Sequence, residues 1–305
     1  MWTARRACAK VNLALEVLGR RADGFHDLAA VSQTIDWGDL VAVERGPVDP
    51  LSPVPSDDPR AWVVIVTGEL APALATDHEP NLVARAGLAL ARAGHAPVGG
   101  RIWLVKRVPV GSGLGGGSAD AAAALRLLSP GLPEPELARL GLTLGADVPF
   151  ALLGGTARLA GVGERLEPLP PPPPSWCVIA VLGRVLTAAV YRTLTPADHT
   201  SGERVARVAG ALRSATAIDP DWLGSGLEPG AWRAQPALAR AAGRLRAATH
   251  PTTWALTGSG GAYFSLEPDR ERAVGLVEAA RAAVPQARVR LARTVGPTRP
   301  MPGSA

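Results

Sequence analysis

Residues 106–125 read "KRVPVGSGLGGGSADAAAAL", with five glycines among the seven positions 111–117. The stretch before them, "RIWLVKRVPV" (101–110), reads as a strand that stops near Pro109, and "SADAAAALRLL" (118–128) reads as a helix ended by Ser-Pro-Gly. Glycine lets a backbone approach a ligand closely and tolerates positive φ. Successive N–H groups in such a loop form an anion-binding nest, and the helix that follows turns its positive end toward the same point. Ser118 is expected near the helix cap and Asp120 in its first turn. A flexible surface loop is the plain alternative, but it needs neither a strong strand before it nor a strong helix after it. The segment therefore reads as a phosphate site.

Several phosphate loops are excluded. No lysine follows the glycines as a Walker A motif requires. Gly111, Gly113 and Gly116 satisfy G-x-G-x-x-G, but Glu134 and Glu136 open a Pro-flanked helix instead of ending a second strand, so the dinucleotide-binding unit is incomplete. The H-R-D and D-F-G triplets of protein kinases are missing. The loop belongs to another nucleotide-binding class.

The chain has 305 residues, which favours two domains. With 47% apolar and 19% charged residues, it can bury a core. Its net charge is +5, yet the arginines are scattered with no dense basic block, so no nucleic-acid partner is expected. An anionic small molecule suits that field. The N-terminal stretch lacks an apolar signal core and no 18-residue apolar run occurs, so neither export nor a membrane partner is expected. Cys8 and Cys177 have no metal spacing and fit a reduced, cytoplasmic setting. Thirty arginines stand against two lysines, Lys10 and Lys106, and there are only two asparagines, Asn12 and Asn81. Where lysine persists in such a background, a compact ammonium is required that the larger, forked guanidinium cannot replace.

Elsewhere, "KVNLALEV" (10–17) alternates as a half-buried strand with Val11, Leu13, Leu15 and Val17 on one face, and 19–28 is a loop with an Asp-Gly turn. Further strands are expected over 40–45, 61–68, 176–182 and 287–293, and helices over 81–94, 134–145, 187–194, 203–213, 236–248 and 268–284. "GADVPFALLGGTARLAGVGERLEPL" reads as a loop leading into one or two strands, and "TTWALTGSGGAYFSLE" (252–267) as strand, glycine loop, strand. "PLPPPPPS" (168–175) is a stiff polyproline II stretch that reads as a domain boundary or surface connector in preference to an SH3-type ligand, and the boundary is expected between 167 and 168. The fold class is α+β.

"PVGSGLGGGSADAAAAL" resembles the ATP loop of the GHMP kinases, the galactose, homoserine, mevalonate and phosphomevalonate kinase superfamily. Within it, the triple glycine followed by Ser-Ala-Asp resembles the 4-diphosphocytidyl-2-C-methyl-D-erythritol kinases. So do "AKVNLALEVLGRRADGFHDLAAVSQTIDWGD" (9–39), "LGADVPFALLGGTA" (144–157), "LTAAVY" (186–191) and "LTGSGGA" (256–262). The resemblance implies an N-terminal domain like ribosomal protein S5 domain 2 (1–167) and a ferredoxin-like C-terminal domain (168–305). It implies transfer of the ATP γ-phosphoryl group to the 2-hydroxyl of 4-CDP-2-C-methyl-D-erythritol, in non-mevalonate isoprenoid synthesis. A monomer or weak homodimer is expected.

By the same resemblance Asp147 is the general base and Lys10 stabilises that carboxylate, the forming alkoxide, or both. Read without it, Asp147 is a helix cap or turn former. ATP contacts are expected from Pro109, Val110, Gly111, Ser112, Gly113, Leu114, Gly115, Gly116, Gly117, Ser118 and Ala119. Asn81 and Lys106 lie near adenine or the phosphates, or else Asn81 caps a helix and Lys106 lies on the solvent face of a strand. Asn12 follows Lys10 by two and shares its strand face, so it either reaches the methylerythritol hydroxyls or is an exposed strand position. Phe25 and His26 resemble the family's cytosine-recognising pair, and Thr187 and Tyr191 its substrate-side residues. No metal-ligand cluster stands out; Mg²⁺ would be held by ATP phosphates, waters and Ser118. The chain departs from the family pattern at Cys8, which replaces a proline, at "VLGRVL" (181–186), and at Ser225 and Gly226, which replace an Asn-Asp pair. Two rivals are a sister kinase acting on homoserine or a mevalonate derivative, and a non-catalytic nucleotide-binding protein. The "GRRADGFHDL" loop argues against the first, since those substrates carry no cytosine; the presence of both Lys10 and Asp147 argues against the second.

Overall fold

In the computed structural model, residues 2–44, 62–71, 81–96 and 100–297 are described. The elements run β1 (Trp2–Arg20), β2 (His26–Glu44), β3 (Trp62–Thr67), α1 (Leu82–Arg92), β4 (Gly100–Val105), α2 (Gly116–Leu128), α3 (Glu134–Leu144), α4 (Val148–Leu153), β5 (Thr156–Gly161) and β6 (Arg165–Leu169). The chain continues through β7 (Trp176–Gly183), α5 (Thr187–Arg192), α6 (Glu203–Arg213), β8 (Gly224–Ser225), α7 (Glu228–Ala234), α8 (Pro236–Ala248), β9 (Ala255–Leu256), β10 (Gly261–Glu267), α9 (Arg270–Ala283) and β11 (Arg288–Arg293). No helix among the described residues is long and apolar enough to cross a membrane.

The chain divides into two compact units that exchange segments. The first holds residues 1–9, 37–110 and 115–153; the second holds 10–36, 111–114 and 154–305. β1 and β2 contribute to both, and the glycine loop gives its middle four residues to the second. The boundary expected at 167/168 falls inside β6.

In the first unit, the end of β2 pairs antiparallel with β4, from Leu40 opposite Val105 to Glu44 opposite Arg101. β4 in turn pairs parallel with β3. Val41, Val43, Ile102 and Leu104 from this sheet share one core with Val83, Ala86 and Leu90 of α1 and with Leu137 and Leu140 of α3. Helix α2 is buried from Ala119 to Leu125 without an exposed face. Its alanines explain that: side chains of one methyl let neighbouring helices close in on every side.

In the second unit, β2 begins antiparallel to β5, from Leu28 opposite Gly161 to Gln33 opposite Thr156, and β5 pairs with β6. β1 pairs parallel with the two-residue β8. A separate antiparallel sheet has the order β11-β7-β10-β9, with α8 and α9 packed on it.

Four expectations change. β1 is 19 residues long and buried continuously from Ala9 to Val17, not half-buried. It is a central strand, flanked by β2 and β8, so its polar residues are enclosed as well as its apolar ones. β2 begins at His26, whereas only its last residues read as a strand. The segment after Gly145 contains helix α4 before its strands. β8 and α7 had no counterpart in the pattern. Arg45 and Ala61, expected at strand ends, lie outside the described residues.

Candidate functional site

In the second unit, the middle of the glycine loop is locked to a second glycine loop. Val185 N–H donates to Gly111 O (3.1 Å), Ala262 N–H to Ser112 O (2.9 Å) and Lys10 N–H to Leu114 O (2.9 Å). Gly113 has φ +89°, and a Cβ there would overlap the Thr257 carbonyl oxygen and lie 2.9 Å from Gly260 N. A Cβ on Gly260 would in turn overlap the backbone of Ser112 and Gly113. The two loops thus meet backbone to backbone, which only bare glycine permits.

The same loop, 257–261, supports β1. Asn12 N–H donates to Thr257 Oγ1 (2.8 Å). Lys10 Nζ donates to Asn12 Oδ1 (2.7 Å), and Asn12 Nδ2 donates to Ser32 Oγ (2.8 Å). Lys10 and Asn12 are both buried. Asn12 is therefore not an exposed strand position. Its amide is turned by Ser32 so that the oxygen faces the ammonium, which makes it a holder of Lys10. Ser225 bonds the same loop, donating to Gly258 O (2.8 Å) and accepting from Leu227 N–H (3.2 Å).

The turn between β1 and β2 is closed by Arg21 N–H donating to Phe25 O (2.8 Å). The Arg21 guanidinium bonds Asp23 (3.0 Å) and Asp27 (3.2 Å), and Asp23 accepts from Phe25 N–H (3.1 Å). These bonds hold Phe25 outward, 64% exposed. The His26 ring lies 5.1 Å from that of Tyr191 and 6.2 Å from that of His199. Burial, and then the nearby His199 and Arg20, push the His26 pKa below its ordinary value, so its imidazole is neutral at neutral pH. Thr187 Oγ1 is 2.8 Å from Ser259 Oγ. The second unit therefore gathers two pairs that the sequence kept apart: His26 with Tyr191, and Thr187 with the second glycine loop.

In the first unit, Asn81 is the cap of α1, accepting from Val83 N–H (3.1 Å). The cap of α2 is Gly115, in the left-handed region with φ +69°, and no side chain bonds there. Ser118 is thus inside the helix instead of at its cap. The N–H groups of the first turn, including those of Gly116, Gly117 and Ser118, have no carbonyl to reach within the helix. Asp147 is half-buried, and its carbonyl accepts from Ala151 N–H (3.0 Å), so it starts α4.

Lys106 is not on a solvent face. It is 2% exposed and paired with two buried carboxylates, Asp39 and Asp120, the latter at 2.7 Å. Asp39 Oδ1 also accepts from Arg107 N–H (2.5 Å) and Val108 N–H (2.8 Å). Burial lowers the Lys106 pKa, but Asp120 and Asp39 outweigh it and leave it raised. Burial pushes the Asp120 pKa up to about 8. Asp120 therefore does not serve the helix dipole from the first turn; it belongs to this cluster. Neither Asp39 nor the second glycine loop figured among the expected site residues. The available signals were a carboxylate interrupting the apolar run of β2 and a second cluster of glycines at 258, 260 and 261.

Among the described residues, no three His, Cys, Asp or Glu come together to hold a metal. Asp120 Oδ1 is buried without a hydrogen-bond partner, but the other oxygen is bound to the Lys106 ammonium, which disfavours a divalent ion beside it. Among the described residues these donors make no resident metal site; an ion at the loop would be one that arrives on a nucleotide and keeps its waters and phosphate ligands.

The family model "GHMP kinases N terminal domain" matches residues 81–155. The 4-diphosphocytidyl-2-C-methyl-D-erythritol kinase of Thermus thermophilus is 39% identical over 279 residues, covering 91% of this chain and 92% of the relative. That of Cereibacter sphaeroides is 38% identical over 304 residues, covering 95% and 98%. A crystal structure of 4-(cytidine 5'-diphospho)-2C-methyl-D-erythritol kinase superposes with a TM-score of 0.71 at 34% identity, covering 96% of this chain and 100% of the other.

Proposed function

The chain belongs to the 4-diphosphocytidyl-2-C-methyl-D-erythritol kinase family, and we propose that it moves the γ-phosphoryl group of ATP to the 2-hydroxyl of 4-CDP-2-C-methyl-D-erythritol, releasing ADP. The carrying observation is similarity along nearly the whole of both chains, which takes in the phosphate loop, the 19–28 turn and the segment around Asp147. We assign it to the cytoplasm, where thiols outside any disulfide, such as those of Cys8 and Cys177, persist.

Phosphoryl transfer asks a protein mainly for positioning and charge neutralisation. The acceptor oxygen attacks the γ-phosphorus, the bond to the β-bridging oxygen breaks, and the hydroxyl proton must leave. We assign that proton to the Asp147 carboxylate, which accepts it as attack proceeds. Lys10 offers its ammonium to the developing negative charge, and Asn12 fixes where that ammonium points. The bare N–H groups at the head of α2 receive phosphate. Mg²⁺, when bound with ATP, neutralises charge on the phosphates, and Ser118 is the residue we assign to it. Phe25 offers a stacking face for the base, and neutral His26 offers one donor and one acceptor to its polar edge.

Turnover assays with 4-CDP-2-C-methyl-D-erythritol, homoserine and mevalonate as alternative acceptors test this reading. Phosphorylation of the cytidyl compound alone is expected. Preference for either of the others would replace the substrate assignment. ATP binding without turnover on any of them would favour a non-catalytic nucleotide binder.

A further inference from the structure

We propose that Lys106, held between Asp39 and Asp120, is a positioning residue for ATP: it ties the chain entering the phosphate loop to the helix leaving it. The inference rests on the loop being the ATP site. Asp39, near the start of the first unit's β2 segment, grips the entering chain by accepting from the N–H groups of Arg107 and Val108 and grips Lys106 as well. Asp120, the fifth residue of α2, takes the other side of the ammonium. The start of α2 rests on the same group. A Cβ on Gly116 would lie 3.2 Å from Lys106 Nζ and 2.9 Å from Val108 Cγ1. Val108 and Gly116, at either side of the loop, are thereby fixed against one another.

The cluster is also sensitive to protons. One ammonium faces two carboxylates, all three buried, and Asp120 Oδ1 has no partner. An uncompensated charge in an interior is costly, so the cluster carries a proton at neutral pH. Asp120 is its site, with a pKa of about 8. The charged groups facing it are Lys106 and, from β2, Asp39. The α1 and α4 residues of the surrounding core, Val83, Ala86, Val148 and Leu152, are apolar. Above that pKa the first turns of α2 gain a negative charge where phosphate must bind, and ATP affinity falls. ATP does not supply this transition itself, because a terminal phosphate completes its second ionisation near about pH 6.

ATP affinity by calorimetry and KM values for both substrates test the proposal, using wild type, Lys106→Met, Lys106→Met with Asp39→Asn, and Asp120→Asn. The double variant removes the uncompensated charge that could unfold the single one, while the amide oxygen in place of the Asp39 carboxylate still accepts from the backbone. Both Met variants should lose about tenfold or more in ATP affinity through misplacement of the loop, with the acceptor KM unmoved. Wild-type affinity should fall about fivefold between pH 7 and pH 9, as expected for one charge near a helix N-terminus, and the Asp120→Asn variant should lose that fall. Wild-type ATP affinity in either folded Met variant overturns the proposal, as does a wild-type affinity that ignores pH. Absence of ATP binding to the wild type would instead overturn the reading of the loop.

Discussion

Gly113→Ala is the sharpest available test of the interlocked glycine loops. The new methyl would overlap the Thr257 carbonyl oxygen and stand 3.2 Å from Gly260 Cα, with backbone on both sides and no flexible side chain to yield. The residue would also keep φ +89°. Left-handed backbone costs an L-residue about 1–2 kcal/mol. Forcing a methyl into a packed site costs about 1–3 kcal/mol more. The sum is about 2–5 kcal/mol, which at about 2–4 °C per kcal/mol lowers the melting temperature by about 4–20 °C. Gly117→Ala is the matched control. Gly117 is exposed at the head of α2, its φ is not positive, and a Cβ there meets only Leu82 Cδ1 at 3.3 Å. Alanine is the better helix former by about 1 kcal/mol, so this variant should melt no lower than wild type. Thermal melts followed by circular dichroism compare the two directly. A Gly113→Ala variant melting within about 1 °C of Gly117→Ala would refute the claim that the loops are locked.

Asp147→Asn keeps the shape but cannot take the proton, so turnover should fall about 10²–10⁴-fold with little change in ATP affinity; steady-state kinetics with near-normal turnover would remove Asp147 from the chemistry. Phe25→Ala should raise the KM for the cytidyl substrate by the loss of one stacking face, about 1–3 kcal/mol, and leave the ATP KM alone. Lys10→Arg keeps the charge but not the point at which Asn12 holds it, so it should turn over almost as poorly as Lys10→Ala; substantial activity in the Arg variant would show that any nearby cation suffices. Asp120, with a pKa of about 8 in the fold against 3.8 for a free carboxyl, makes the folded state bind a proton that the unfolded chain has released. Stability should therefore fall as pH rises from 3.8 toward 8, and Asp120→Asn should flatten that slope in melting temperature measured against pH; parallel profiles would contradict it.

What the sequence made legible was mostly local. The strand–glycine–helix order around residue 111 needs only neighbours in the chain: β4 and α2 are both present, although β4 ends at Val105, short of Pro109, and α2 begins two residues before Ser118. Helix α8 begins at Pro236 because proline suits the first turn of a helix, a signal any sequence displays. What stayed hidden depends on partners distant in the chain. Asp39 stands just before the strand expected over 40–45, and nothing local shows that Lys106 and the Arg107 backbone come to it from 67 and 68 residues away. That Asn12 is enclosed instead of exposed on its strand shows only once Ser32 and Thr257 are seen to bond it. β8 is two residues long and pairs with β1 across more than 200 positions, so no periodicity could reveal it.

The same distinction explains why composition was informative about four scarce residues and yet incomplete. A background that replaces lysine by arginine leaves lysine where the guanidinium fork does not fit, and both survivors are buried and hydrogen-bonded. Scarcity therefore marks enclosure, not chemistry. Lys106 is enclosed because two carboxylates require a compact cation between them, whether or not it touches a ligand. Lys10 is enclosed through a different contact: the neutral amide oxygen of Asn12 accepts from its ammonium and helps to fix where it points. Of the two asparagines, one orients that ammonium and the other caps α1. Around Lys106, by contrast, the charge is met inside a buried cluster by the Asp39 carboxylate, with the protonated Asp120 on its other side. That difference in what steers the ammonium, more than the rarity of lysine, separates the residue assigned to the phosphoryl transfer from the residue assigned to holding the loop.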